Sequence, residues 1–374
     1  MYKFFSVDDH IIEHGRVWTD RMPAKFKAVA PHVVEADGRE YWEYEDRRHP
    51  TMGLNAVAGT PRETWAMDPK RFQDMHPACY DPKKRAEVMY SQGIYASVNF
   101  PSLPGFGGHF FSTFKDKELA SACVSAWNDF LIDEWCGAAP DLFVPMVICQ
   151  TWDPKLAAEE IRRCLGKGAK ALCFLEDPHD AGLPGWHTDH WDPILALCQE
   201  AKMPICMHIG GAGDPSRQLD PATPALVSIA VAFTQSARCA VNMMVSPVCE
   251  KFPDIKLVWS EGGIGWIPAA IERADRQWER HAAWSWTPKL RPSDIAKRNM
   301  WFCMIEEPVG LQYRHDFNVE HIVWESDFPH ADTPYPETQK NADEVFKGVP
   351  ADEVEKITWR NAEKLFNWKM TVPA

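Results

Sequence analysis

Six side chains of metal-ligand type stand where short apolar runs give way to turns: Asp8, His10, His208, Glu261, Asp327 and His330. Mixed carboxylate and imidazole ligation suits a divalent ion, which can polarise a substrate oxygen or make a nucleophile of water. Asp8 and His10 stand two residues apart, and a strand projects alternate residues to one side, so the pair can grip one ion. Taken alone, such a triplet is more often a capping Asp beside a surface His; its position at the end of a strand raises the metal reading. His208 closes Pro-Ile-Cys-Met-His-Ile-Gly-Gly, where the glycines let the backbone approach a ligand closely. The bland alternative is a satisfied core histidine. Glu261 follows Val-Trp-Ser and precedes Gly262 and Gly263, and an acid there is costly unless it is paired or bound to a metal. In Glu325-Ser326-Asp327-Phe328-Pro329-His330, Pro329 favours an extended turn that can aim both Asp327 and His330 inward. Asp327 carries the most weight, because an Asp there can bind metal, take a proton from metal-bound water, or do both in sequence. Asp327 and Glu261 are the candidate catalytic groups.

Weaker signals point to substrate contacts. His109 lies beside Gly107 and Gly108 after the second strand, Arg16 could pair bidentately with a carboxylate, and Trp266 could line an apolar pocket. Each has an ordinary structural alternative, a surface role for Arg16 and helix packing for Trp266.

Catalytic groups drawn from the tops of several strands are the habit of a (β/α)8 barrel, whose strand ends are rigid while the loops beyond shape a pocket. The chain supplies the parts. Eight runs rich in Val, Ile, Phe and Met are predicted as strands, at 4–9, 95–101, 143–149, 170–175, 204–209, 255–260, 300–305 and 321–326. Between them lie helical stretches at 83–92, 119–135, 191–201, 224–241 and 267–281. The clearest starts at Asp153, carries Ala157, Ala158, Ile161 and Leu165 on one stripe, and stops near Gly166 and Gly168. Regular alternation predicts a single α/β domain over 1–374, a TIM barrel of right-handed βαβ units. The connection after the first strand, 11–84, is far longer than a barrel loop needs, and is expected to cap the active site or build an interface.

Composition narrows the classes further. The 374 residues carry a formal net charge of −13 with no basic stripe, which argues against a nucleic-acid partner. The N-terminal segment has no apolar stretch of signal-peptide length, and no run approaches the roughly 20 residues of a membrane span. Eleven scattered cysteines, mostly among apolar neighbours, read as reduced core thiols of a cytoplasmic protein.

Asp8 with His10, the strand-five His208 and the Ser-Asp-Phe-Pro-His stretch around Asp327 resemble the amidohydrolase-related proteins. That branch of the metal-dependent amidohydrolases includes aminocarboxymuconate-semialdehyde decarboxylase and the resorcylate-type decarboxylases. The resemblance covers essentially the whole chain and implies a (β/α)8 barrel with a divalent metal held by Asp8, His10, His208 and Asp327. It departs at strand six, where the decarboxylases usually carry a His and this chain has Glu261, while His330 supplies a further ligand. The enlarged set is similar to the small branch of dinuclear non-haem iron or iron/manganese monooxygenases. It implies two divalent ions, Fe or Fe with Mn, and makes an O2-dependent hydroxylase of a small organic substrate the leading expectation. The alternatives are a decarboxylase or hydrolase of a small, possibly aromatic, acid using one Zn or Mn, and a structural subunit of a hetero-oligomer. A homo- or hetero-oligomer with a related subunit is expected in each case, because the Trp-rich insertion and Trp368 suggest surplus apolar surface.

Overall fold

A computed structural model describes residues 1–211 and 222–373. Strand β1 (Phe4–Ile11) is buried along its whole length. The insertion then forms a small antiparallel sheet of β2 (His32–Ala36), β3 (Arg39–Tyr44) and β4 (Arg47–His49). Asp37 and Gly38 turn β2 into β3 with φ of 52° and 72°, the left-handed pair that suits the twist of a two-residue hairpin. Trp18 and Trp42 meet edge to face at 5.2 Å and are buried inside the chain. Both rings thus pack in the protein's own core.

The barrel continues with β5 (Ile94–Pro101), β6 (Phe143–Val144), β7 (Met146–Val147), β8 (Ala171–Phe174), β9 (Ile205–His208), β10 (Leu257–Ser260), β11 (Met300–Met304) and β12 (Ile322–Trp324). All pair in parallel, β1 with β5 and β5 with β6, and β7 through β12 in sequence order. The predicted third strand is interrupted at Pro145, which has no N–H to donate: β6 pairs with β5 on one side and β7 with β8 on the other. Closure between β12 and β1 is made by the ligand-bearing segment itself. Asp327 N–H donates to Asp8 O at 2.8 Å, and His10 N–H donates to Phe328 O at 2.8 Å. The barrel expected from the sequence is present, with its two most chemically loaded segments hydrogen-bonded to each other.

Helices follow the strands as expected. Asp81, Asp116 and Asp153 each accept hydrogen bonds from the first turn of α1 (Pro82–Gln92), α2 (Lys117–Asp129) and α3 (Pro154–Gly166). The stretch predicted as one helix over 224–241 is two, Ala225–Val231 and Phe233–Met244. Among the described residues no helix is long and apolar enough to cross a membrane. All eleven cysteines are free and buried.

Candidate metal centre

His10 lies inside β1 rather than beyond it, fully buried, and its Nε2 is the hub of the site. It stands 3.1 Å from His208 Nε2, 3.4 Å from Asp8 Oδ1 and 3.4 Å from Asp327 Oδ1. His208 Nε2 is in turn 3.3 Å from Asp8 Oδ2 and 3.0 Å from Glu261 Oε2. Donors bonded at about 2.1 Å to one ion sit roughly 3.0 to 3.4 Å apart, so these separations are the edges of one coordination sphere. The donor chemistry fits as well. Both oxygens of Asp8, Asp327 Oδ2 and His330 Nε2 are buried without a hydrogen-bond partner. Orphaned polar atoms of this kind are costly unless a ligand satisfies them.

The imidazoles are held ready for such a role. His208 Nδ1 lies 2.6 Å from Ile209 O and so carries the ring proton, leaving the Nε2 lone pair facing the site. Burial, with His330 and His208 close by, pushes the pKa of His10 well below its ordinary value, which keeps the ring neutral. Burial and the surrounding carboxyls Glu325, Asp327 and Glu261 push Asp8 well up. A cation would offset the mutual repulsion of such a cluster. Phe106 stacks on His208 at 4.0 Å and covers that face of the ring.

The supporting shell comes from β1, α1 and the insertion. Asp9 points away from the site, where its carboxylate accepts from Ser97 Oγ and, at 3.2 Å, from Phe328 N–H. Buried Arg85 donates to His10 O at 2.6 Å and Ala78 O at 2.8 Å, and lies over the Phe328 ring. The insertion is tied to the same segment: Val57 and Ala58 N–H donate to Pro329 O at 3.0 and 2.9 Å. Ile12, Met75 and Cys79 form a small core with Phe328.

The six expected ligand residues are thus brought together. Glu261 reaches His208 from a left-handed turn, φ 57°, and its side chain is 24% exposed, unlike the other five. His330 places Nδ1 2.9 Å from Asp327 Oδ1, and its ring lies 3.9 Å from that of His10 at a tilt of 33°. Of the weaker candidates, His109 lines a cavity of about 490 Å³ beside Phe106 and Gly211. Trp266 lines another that contains Glu261. Arg16 is outside both: its side chain is 77% exposed and faces Asp20 on the surface. Three further acids near the site escaped the sequence reading. Glu325 accepts the Glu261 N–H at 3.1 and 3.2 Å, Glu176 accepts from Ser236 Oγ, and Glu307 lines the Glu261 cavity. Glu176 follows a buried strand just as Glu261 does, and that signal could have found it.

The chain belongs to the amidohydrolase family. The family model described as Amidohydrolase matches residues 14–368. A gamma-resorcylate decarboxylase of Rhodococcus jostii is 28% identical over 193 residues, covering 50% of this chain and 56% of that protein, little more than half its length. Another, of a Rhizobium species, is 23% identical over 301 residues, 75% of this chain and 86% of that protein. Among solved structures, an amidohydrolase of Mycobacterium avium subsp. paratuberculosis superposes with a TM-score of 0.76 at 21% identity, covering 98% of this chain and 99% of its own. A 5-carboxyvanillate decarboxylase of Sphingomonas paucimobilis gives 0.69 at 19% identity, covering 99% and 100%. A dihydroxybenzoic acid decarboxylase of a Polaromonas species, solved with bound manganese and 2-nitroresorcinol, gives 0.64 at 18% identity, covering 98% and 97%.

These relatives correct the leading expectation of an O2-dependent hydroxylase in favour of the decarboxylase held as its alternative. The extra carboxylate and imidazole suggested a pair of ions; the two groups of candidate donors in the site overlap at His10.

Proposed function

We propose that the protein is a decarboxylase of a small hydroxyaromatic acid, using one divalent ion such as manganese. The observation that carries this is the convergence of buried donors, most of them without partners, from Asp8, His208 and Asp327 around His10 Nε2. The relatives supply the reaction class. Asp8, His10, His208 and Asp327 would hold the ion, with His330 orienting Asp327 through Nδ1. When bound, the ion draws electron density from a substrate carboxylate and fixes its direction.

Loss of CO2 from a ring carbon leaves an electron pair that must take up a proton, so the reaction converts a carboxylate and one proton into an arene and CO2. Glu261 is placed to deliver that proton. It is the one partly exposed carboxyl of the group, it faces a cavity, and it can recover a proton from solvent between turnovers. Asp327, fully buried beside His330, is fitted to stay a ligand. Phe106 shields His208 from water on the opposite side.

The test is turnover of 2,6-dihydroxybenzoate and its isomers by manganese-loaded protein in D2O under strict anaerobiosis. CO2 release with one deuterium at the vacated ring position is expected. A requirement for O2, or hydroxylated product, would refute the reading.

A further inference from the structure

Glu261 opens into a cavity of about 400 Å³ whose walls include Trp266, Phe233, Val309 and Glu307. Its floor is the turn Gly262-Gly263, and the glycines are required. A Cβ at Gly262 would lie 2.9 Å from Ser236 Cβ, and one at Gly263, where φ is 64°, would lie 3.1 Å from Glu307 Oε1. The Trp266 wall is fixed in advance. Its indole N–H donates to Gly262 O at 2.8 Å, and its ring meets Phe302 edge to face at 5.7 Å. An aromatic wall above a bare glycine floor makes a slot suited to a flat ring.

Glu307 gives this slot a second carboxyl besides Glu261. Its Oε2 accepts the Ile305 N–H at 3.0 Å, while Oε1 lies against Gly263. Burial pushes this carboxyl up to about 7, so near neutral pH it is available both as donor and as acceptor. From this arrangement we infer that the slot between Glu261 and Glu307 seats the substrate ring and that Glu307 reads a ring hydroxyl. The inference rests on the decarboxylase reading and deepens it, because it makes a phenolic hydroxyl, rather than an ether or an amine, the group that the pocket selects.

Binding of neutral probes tests this without turnover. Calorimetry on the manganese-loaded protein should show resorcinol binding about tenfold tighter than 1,3-dimethoxybenzene, the worth of one hydrogen bond to a partly charged group. Glu307→Ala should abolish that preference while leaving manganese affinity unchanged. Val309→Trp, at an exposed position on the rim, should block both probes without disturbing the fold. A preference that survives Glu307→Ala, unhindered binding in Val309→Trp, or tighter binding of 1,3-diaminobenzene would overturn the inference. Glu307-dependent binding of resorcinol by a protein that decarboxylates no hydroxybenzoate would instead sink the decarboxylase reading and leave the slot standing.

Discussion

Glu176 offers a direct measure of how the barrel treats a buried acid. Its side chain is wholly buried, one oxygen accepts from Ser236 Oγ, and the other has no partner. Burial raises its pKa from 4.5 to about 8, with Asp177 and Glu261 adding to the rise and Ser236 and Arg238 opposing it. The folded state therefore holds this proton more tightly than the unfolded chain does. The contribution to stability is fully present below the unfolded value and is lost as the pH climbs through the folded one. Each tenfold difference in proton affinity between the two states is worth roughly 1.4 kcal/mol, so the loss between pH 5 and pH 8 amounts to about 3 kcal/mol. Glu176→Gln keeps the acceptor for Ser236 and puts an N–H where the carboxylic O–H was, so it abolishes the titration with little change of shape. Wild type and variant, both stripped of metal by a chelator, would be unfolded in guanidinium chloride at the two pH values. The other buried acids are common to both proteins and cancel in the difference. The variant should match wild type near pH 5 and exceed it by about 3 kcal/mol at pH 8. Parallel behaviour at the two pH values would show that Glu176 is ionised in the fold and that the burial argument fails.

Four further substitutions, taken in two pairs, probe Glu261 and its supporting shell. Glu325 holds the Glu261 turn by accepting its N–H with both oxygens. Glu261→Gln should lower kcat about a hundredfold or more, as loss of a proton donor does. Glu325→Ala should also lower kcat, and the double variant should be no worse than Glu261→Gln alone. Additive losses would mean that Glu325 acts elsewhere. Arg85→Met leaves Asp9 buried without its cation and frees His10 O and Ala78 O, for a destabilisation of about 3 kcal/mol. Thermal unfolding should show part of that loss recovered in the double variant with Asp9→Asn, and no recovery would assign the loss to the backbone hydrogen bonds alone.

The sequence by itself determined the fold class and the place of the site. Strand and helix periodicities are local, and so is the spacing that puts Asp8 and His10 on one side of a strand, which is why the six candidate donors that folding brings together could be picked out along the chain. Tertiary structure decided everything that depends on which distant side chains meet. Which donors surround His10 Nε2 is decided by folding: Asp8, His208 and Asp327 lie up to 319 positions apart, and no local pattern encodes that convergence. The same holds for Arg16, whose guanidinium suits a carboxylate but turns outward to Asp20. Glu325 and Glu307 read as ordinary acids in the chain, and acquire their roles only where folding sets one against the Glu261 turn and the other against Gly263. An acid's pKa and partners are properties of its surroundings, and those surroundings exist only once the barrel has closed.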